Sequence, residues 1–155
     1  KIGIIGDIAH SRVALSNIYG LKTMGAEVTL CGPPNLIPKN IEDMGVTVNY
    51  NIDEVIEWAD ALNVLRIQRE RMGLGLIPSN REYRSKFGIT KKRILNHKKE
   101  IIIMHPGPIN RGVEIDSIVA DSDQAIILDQ VLNGVASRMA ILYLFCGESP
   151  SKDTK

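Results

Sequence analysis

Short apolar runs rich in Ile and Val alternate along the chain with segments in which apolar residues return every three or four positions. That alternation is the signature of a parallel sheet whose strands are buried on both faces by helices. The pattern predicts strands at Ile2–Ile5, Glu27–Cys31, Val46–Tyr50, Ala61–Ile67 and Glu100–Met104. Helices are predicted between them at Ser11–Met24, around Pro38–Met44, at Ile52–Trp58, and from about Asn80 to Lys98 with a break at Gly88. The chain closes on Asp123–Phe145, where Ile126, Ile127, Val131, Val135, Met139, Leu142 and Phe145 recur at helical spacing. The fold class read from this order is α/β, a Rossmann-like three-layer parallel sheet of about five strands ending in a long C-terminal helix.

Two segments break the rhythm. Arg69–Ser79 carries Gly73, Gly75 and Pro78, and Pro106–Ser122 begins with two prolines and two glycines. Both follow the carboxyl end of a predicted strand, where open α/β sheets bind their ligands.

Three strand ends carry candidate chemistry. In Gly6-Asp7-Ile8-Ala9-His10-Ser11-Arg12 a strand turns into a helix whose free N–H groups favour an anion, and Arg12 adds a guanidinium. The competing reading is that Ser11 or Asp7 caps the helix and Arg12 faces water. In Leu65-Arg66-Ile67-Gln68-Arg69-Glu70-Arg71, Arg66 sits among apolar residues and needs a carboxylate partner, whereas the rest reads equally as a solvated charged loop. In His105-Pro106-Gly107-Pro108, prolines remove two donors and leave carbonyls open to a substrate amine or amide. A rigid turn that merely stops a strand is the even alternative, and a cis bond before Pro108 fits both. A dinucleotide fingerprint fails, because Gly3 and Gly6 lie within the first strand or at its end and no third glycine follows at the required spacing.

Composition narrows the classes further. Lys+Arg 19 against Asp+Glu 18 leaves no basic field for nucleic acid or a membrane surface. Cys31 and Cys146 fit neither a disulfide framework nor zinc-ligand spacing, which suits reduced thiols in a cytosol-like compartment. No secretory leader is visible, and the longest apolar stretch, Met139–Cys146, is too short to span a bilayer. A soluble, cytoplasmic protein without metal or cofactor is expected. The abrupt start inside a strand suggests that a further domain lies upstream, and the polar tail 148–155 is expected to fray.

Together, Gly6–Ala14, Arg66–Arg71 and His105–Pro108 resemble the three signature segments of the aspartate carbamoyltransferase family, and Gln130–Ala140 is similar to that family's last helix. The resemblance covers nearly the whole chain apart from the tail. It implies that residues 1–147 are the aspartate/ornithine-binding domain, that Arg12 binds the α-carboxylate of L-aspartate, and that Arg66 binds its side-chain carboxylate. Gln68 would assist, Glu70 would hold Arg66, and Arg71 would brace the site through inter-domain ion pairs. The carbonyls of Pro106 and Gly107 would face the amine and the carbamoyl group, with His105 and a cis-bonded Pro108 behind them. The segment from Arg69 to about Thr90 corresponds to a mobile loop that closes over substrate.

Leu15 departs from the resemblance, since many bacterial relatives carry a second arginine there. The family's carbamoyl phosphate site, a Ser-Thr-Arg-Thr loop with further arginines and a histidine, belongs to an N-terminal domain with no counterpart here, as does a lysine from the neighbouring subunit. The resemblance therefore implies a clamp for one reactant, negligible turnover by this chain alone, and an intact enzyme that is a homotrimer, with a regulatory or dihydroorotase partner as a further expectation. Rival readings are an ornithine-specific carbamoyltransferase, a non-catalytic Rossmann-type binding module, and a folding or interaction fragment. Two arginines suit a dicarboxylate better than a diamino acid.

Overall fold

The computed structural model describes residues 1–67, 79–96 and 100–147. Its strands are β1 (Ile2–Ile5), β2 (Val28–Cys31), β3 (Thr47–Val48), β4 (Ala61–Val64) and β5 (Ile102–Met104). All pair in parallel, in the order β3-β2-β1-β4-β5. The chain thus winds outward from β1 to β3, returns past β1 to β4, and continues to β5. The direction of winding reverses between β1 and β4, and that is where open sheets of this kind leave a crevice.

Register and side-chain alternation make the layers. Ile5 lies level with Cys31 on one side and Val64 on the other. Successive strand residues point to opposite faces, so Ile4 and Leu30 pack with Ala14 and Ile18 of helix α1 (Arg12–Thr23). Ile5, Cys31, Leu62 and Val64 pack with Val55 and Ile56 of helix α2 (Ile52–Trp58) on the other face. Helices cover both faces, which gives the three-layer α/β architecture that the hydrophobic pattern predicts. At the sheet centre Gly6 adopts φ 129°, a conformation few side chains tolerate, and a Cβ at Gly32 would collide with the Gly6 carbonyl.

Helices α3 (Asn80–Phe87) and α4 (Lys91–Asn96) follow, with the predicted break at Gly88, and residues 97–99 lie outside the described residues. The Arg93 guanidinium spans that break, donating to the carbonyls of Gly88 at 2.8 Å and Ser85 at 3.0 Å and pairing with Asp53 at 2.8 Å. A cation on the last carbonyls of α3 satisfies acceptors that the helix itself leaves open.

Several boundaries differ from the sequence reading. In place of one helix around Pro38–Met44 there are two 3-10 turns, Pro34–Leu36 and Ile41–Met44. β3 keeps two residues of the expected five, β2 and β5 begin later, and β4 stops at Val64. A short helix α5 (Ser117–Ala120) interrupts the segment expected to be irregular. The last helix, α6 (Ile127–Cys146), starts four residues after the expected Asp123. Its would-be first turn pairs with β5 instead: Ile103 N–H donates to the Gln124 carbonyl at 2.8 Å, and Ile126 N–H donates to the Ile103 carbonyl at 3.0 Å. Backbone groups committed to a strand edge cannot close helical turns, and apolar periodicity does not distinguish the two uses. Among the described residues, no helix is long and apolar enough to cross a membrane.

Candidate functional site

The three segments singled out in the sequence leave the sheet at the carboxyl ends of β1, β4 and β5, and β4 is hydrogen-bonded to both of the others. They line one cleft of about 280 Å³, with Asp7, His10 and Arg12 from the first, Leu65 and Arg66 from the second, and Pro106 and Gly107 from the third.

On the first wall, Ser11 Oγ accepts the Ala14 N–H at 3.1 Å and caps α1. Arg12 therefore enters the first helical turn and is exposed at the cleft. The capping role belongs to Ser11. Asp7 is buried and engaged with His10, accepting its backbone N–H at 3.1 Å and lying 3.0 Å from its Nδ1. The carboxylate that would otherwise repel an anion here is thus shared with an imidazole.

On the second wall, the backbone continues beyond β4 through Leu65 N–H, which donates to the Ile5 carbonyl at 2.8 Å. Arg66 follows, half-buried, and the Ile67 carbonyl accepts from Asn110 Nδ2 at 3.0 Å. The shortened β4 puts Arg66 in this extension rather than in the strand. Gln68, Glu70 and Arg71 lie outside the described residues, as does the first part, 69–78, of the segment expected to close over substrate; its remainder up to Thr90 contains helix α3.

The third wall rests on a fully buried His105. Its backbone N–H donates to Gln130 Oε1 of α6 at 2.9 Å, and its Nδ1 accepts the Gly107 N–H at 2.9 Å. Nε2 lies 3.3 Å from Glu114 Oε1, off line for a good hydrogen bond but close enough for the two charges or dipoles to see each other. The same Glu114 oxygen accepts the Asn110 N–H, at 2.6 Å. Gly107 has φ 67° and is followed by a cis bond to the exposed Pro108.

The structure brings together Arg12, Arg66, Pro106 and Gly107, with His105 beneath. Sequence reasoning missed Asp7 with His10, and it missed the buried Glu114 and the half-buried Asn110 that tie the second and third walls. One signal for Glu114 was present: a lone carboxylate between Val113 and Ile115 needs a buried partner. Tyr83 was missed as well. It is buried, and desolvation, followed by negative charge at Glu114, Cys31 and Asp7, pushes its hydroxyl well above the usual phenol range. Burial raises the Cys31 thiol to about 12.

A wider cavity of about 1190 Å³ lies away from this cleft, along α2, α3 and α4. Two ion pairs cross it, Arg93 with Asp53 and Arg84 with Asp116 at 2.8 Å each. Among the described residues no three His, Cys, Asp or Glu side chains converge as a metal site.

Two guanidiniums and two backbone carbonyl positions on one small cleft suit a compact molecule with separated anionic groups and a donor between them. Residues 1–145 match the family described as aspartate/ornithine carbamoyltransferase, Asp/Orn binding domain. The chain belongs to this carbamoyltransferase family. A curated relative, the aspartate carbamoyltransferase catalytic subunit of Christiangramia forsetii, is 60% identical over 148 residues, covering 96% of this chain and 48% of the relative. The chain thus spans about half the length of the curated relatives it matches. Among solved structures, the fold resembles ornithine carbamoyltransferase from Pyrococcus furiosus with a TM-score of 0.76 at 21% identity, over 96% of this chain and 50% of that one. It is also similar to aspartate transcarbamoylase from Trypanosoma cruzi, with a TM-score of 0.73 at 25% identity over 92% and 48% of the two chains.

Proposed function

We propose that this chain is the aspartate-binding half of an aspartate carbamoyltransferase and holds L-aspartate while a second domain presents carbamoyl phosphate. The observation that carries the reading is that Arg12 and Arg66, from two different strand exits, line one small cleft together with Pro106 and Gly107. Arg12 takes the α-carboxylate and Arg66 the side-chain carboxylate, Gln68 assists, Glu70 holds Arg66, and Arg71 braces the site through inter-domain ion pairs. The carbonyls of Pro106 and Gly107 accept hydrogen bonds from the amine and the carbamoyl group.

The chemistry follows from that clamp. The neutral aspartate amine attacks the carbamoyl carbon, the new N–C bond forms as the C–O bond to phosphate breaks, phosphate leaves with the bonding pair, and the proton the amine gives up passes to that departing phosphate. Positioning and charge neutralisation supply most of the acceleration. This half contributes one reactant's pose only, so the 155-residue chain alone turns over negligibly. The family name covers ornithine as well, and the relatives named for aspartate together with two arginines favour the dicarboxylate.

The same reading places the domain boundary near residue 147, with a polar tail after it, and assigns the exposed apolar face of α6 to contact with the other domain. It also carries the expectations of a homotrimer with active sites between subunits, a regulatory or dihydroorotase partner, and a cytoplasmic location. Calorimetric titration of the chain with succinate tests the clamp. Weak, salt-sensitive binding that drops about tenfold or more in Arg66→Ala is expected, since a charged hydrogen bond contributes roughly 1.5–3 kcal/mol. Equal binding by both proteins would remove Arg66 from the clamp.

A further inference from the structure

We infer that His105 is a positioning residue: through its Nδ1 it fixes the Pro106–Gly107 peptide and aims the Pro106 carbonyl into the cleft. The inference rests on the proposed carbamoyl transfer, and adds to it the group that orients one of its acceptors.

The argument starts from the peptide plane. Gly107 N–H donates to His105 Nδ1 at 2.9 Å. Among the described residues the cis bond is Gly107–Pro108, so the Pro106–Gly107 bond is trans. In a trans peptide the N–H and the preceding C=O lie in one plane and point in opposite directions. Fixing the Gly107 N–H on the ring therefore turns the Pro106 carbonyl away from it. The ring is fully buried, whereas Pro106 and Gly107 border the cleft shared with Arg12 and Arg66. With φ 67° at Gly107, the local backbone has conformations other than this one within reach. The imidazole is the contact that selects among them.

The hydrogen bond also fixes the tautomer. Nδ1 accepts, so it bears no proton, and the ring's proton sits on Nε2. Glu114 Oε1 lies 3.3 Å from Nε2 but off line for a good hydrogen bond, so the tautomer is set by the Gly107 contact. Glu114 and Asn110 extend the frame, since Asn110 N–H donates to Glu114 and Asn110 Nδ2 donates to the Ile67 carbonyl beside Arg66. Gln130 Oε1 receives the His105 backbone N–H and pins the other side. One buried group thus sets the carbonyl wall in a fixed relation to the arginine wall.

Two measurements test this. Nitrogen-15 NMR of the 155-residue chain should show His105 Nδ1 unprotonated and Nε2 protonated; a protonated Nδ1 in the native state overturns the inference. The second uses the chain joined to the remaining half of the Christiangramia forsetii relative. His105→Leu should lower kcat on the order of a hundredfold, the effect of misplacing a reacting group by about 1 Å, with the KM for aspartate changed much less. His105→Asn places an amide oxygen where Nδ1 stood and can accept the same Gly107 N–H, as Asn does in Asx turns, so it should recover most of the loss. Equal loss in the Leu and Asn variants, or a change confined to KM, contradicts the role. If the joined wild-type enzyme makes no carbamoyl aspartate, the proposed function fails, and the tautomer decides this inference by itself.

Discussion

β5 feeds two regions that are finished very differently. Immediately after it, His105 is fully buried, with Glu114 beside it and Gly107, Asn110 and Gln130 engaged in the same set of hydrogen bonds. About twenty residues later α6 begins, and within it Ile127 is the one buried residue, while Leu128, Leu132, Tyr143 and Phe145 are 84%, 68%, 80% and 82% exposed. The first region holds polar groups in the interior and ties them together through the backbone N–H groups of His105, Gly107 and Asn110, with His105 Nε2 and Glu114 Oε2 left outside those hydrogen bonds; burying such groups is costly unless they find partners. The second leaves side chains that would each contribute about 1.5–3 kcal/mol on full burial facing outward. A long apolar face of this kind marks an interaction surface. The residues around His105 are held by one another, whereas the apolar side chains of α6 are exposed.

The sharpest way to separate the two regions is kinetic. In the joined enzyme, Arg66→Ala should lower kcat/KM by roughly 30-fold to several thousandfold, because truncating one member of a charge pair that substrate binding buries costs about 2–5 kcal/mol. Leu142→Ala on α6 should change it far less. A comparable loss from both would mean that α6 shapes the reacting groups directly.

Stability gives the next contrast. Ile5→Ala removes a fully buried side chain at the sheet centre and should lower the unfolding free energy by about 2–5 kcal/mol in urea melts. Leu132→Ala should stay within about 0.5 kcal/mol in the 155-residue chain. If the Leu132 change costs as much as the Ile5 change, α6 is packed and the comparison fails.

The two cysteines sample the same divide. Cys31 is buried and Cys146 exposed, so iodoacetamide should label Cys146 in the native chain and Cys31 upon unfolding. Burial raises the Cys31 thiol from 9.0 to about 12 in the folded state. A raised folded pKa contributes stability that is complete below the unfolded value and is lost as pH climbs toward the folded one. Stability should therefore decline between pH 9 and 12, and Cys31→Ala should flatten that decline. A loss between those of Ile5→Ala and Leu132→Ala is expected at the cap: Ser11→Ala should cost about 1 kcal/mol through the lost Ala14 hydrogen bond, with the arginine clamp otherwise intact.

Much of this was legible in the sequence, for reasons that can be named. Strand cores such as Ile2–Ile5 and helices such as Ile52–Trp58 follow from local apolar period, and the structure reproduces both. The signature segments around Arg12, Arg66 and Pro106 fall on adjacent strand exits because a doubly wound order places them there. What escaped was set by long-range pairing. Residues 124–126 read as helix but are held at the β5 edge, and β4 gives up Leu65–Ile67 to an extension fastened by Ile5 and Asn110. Glu114 was not singled out in the sequence, because the partner that accounts for its burial, His105, is brought to 3.3 Å only by the fold.

The central claim is that this chain clamps aspartate for a reaction that needs a second domain. The most direct test assays carbamoyl aspartate from carbamoyl phosphate and aspartate with three proteins: the 155-residue chain, the chain joined to the remaining half of its Christiangramia forsetii relative, and that joined enzyme carrying Arg66→Ala. The account predicts no product from the first, product from the second, and near-complete loss in the third. Full turnover by the 155-residue chain alone, or a joined enzyme indifferent to Arg66, would contradict it.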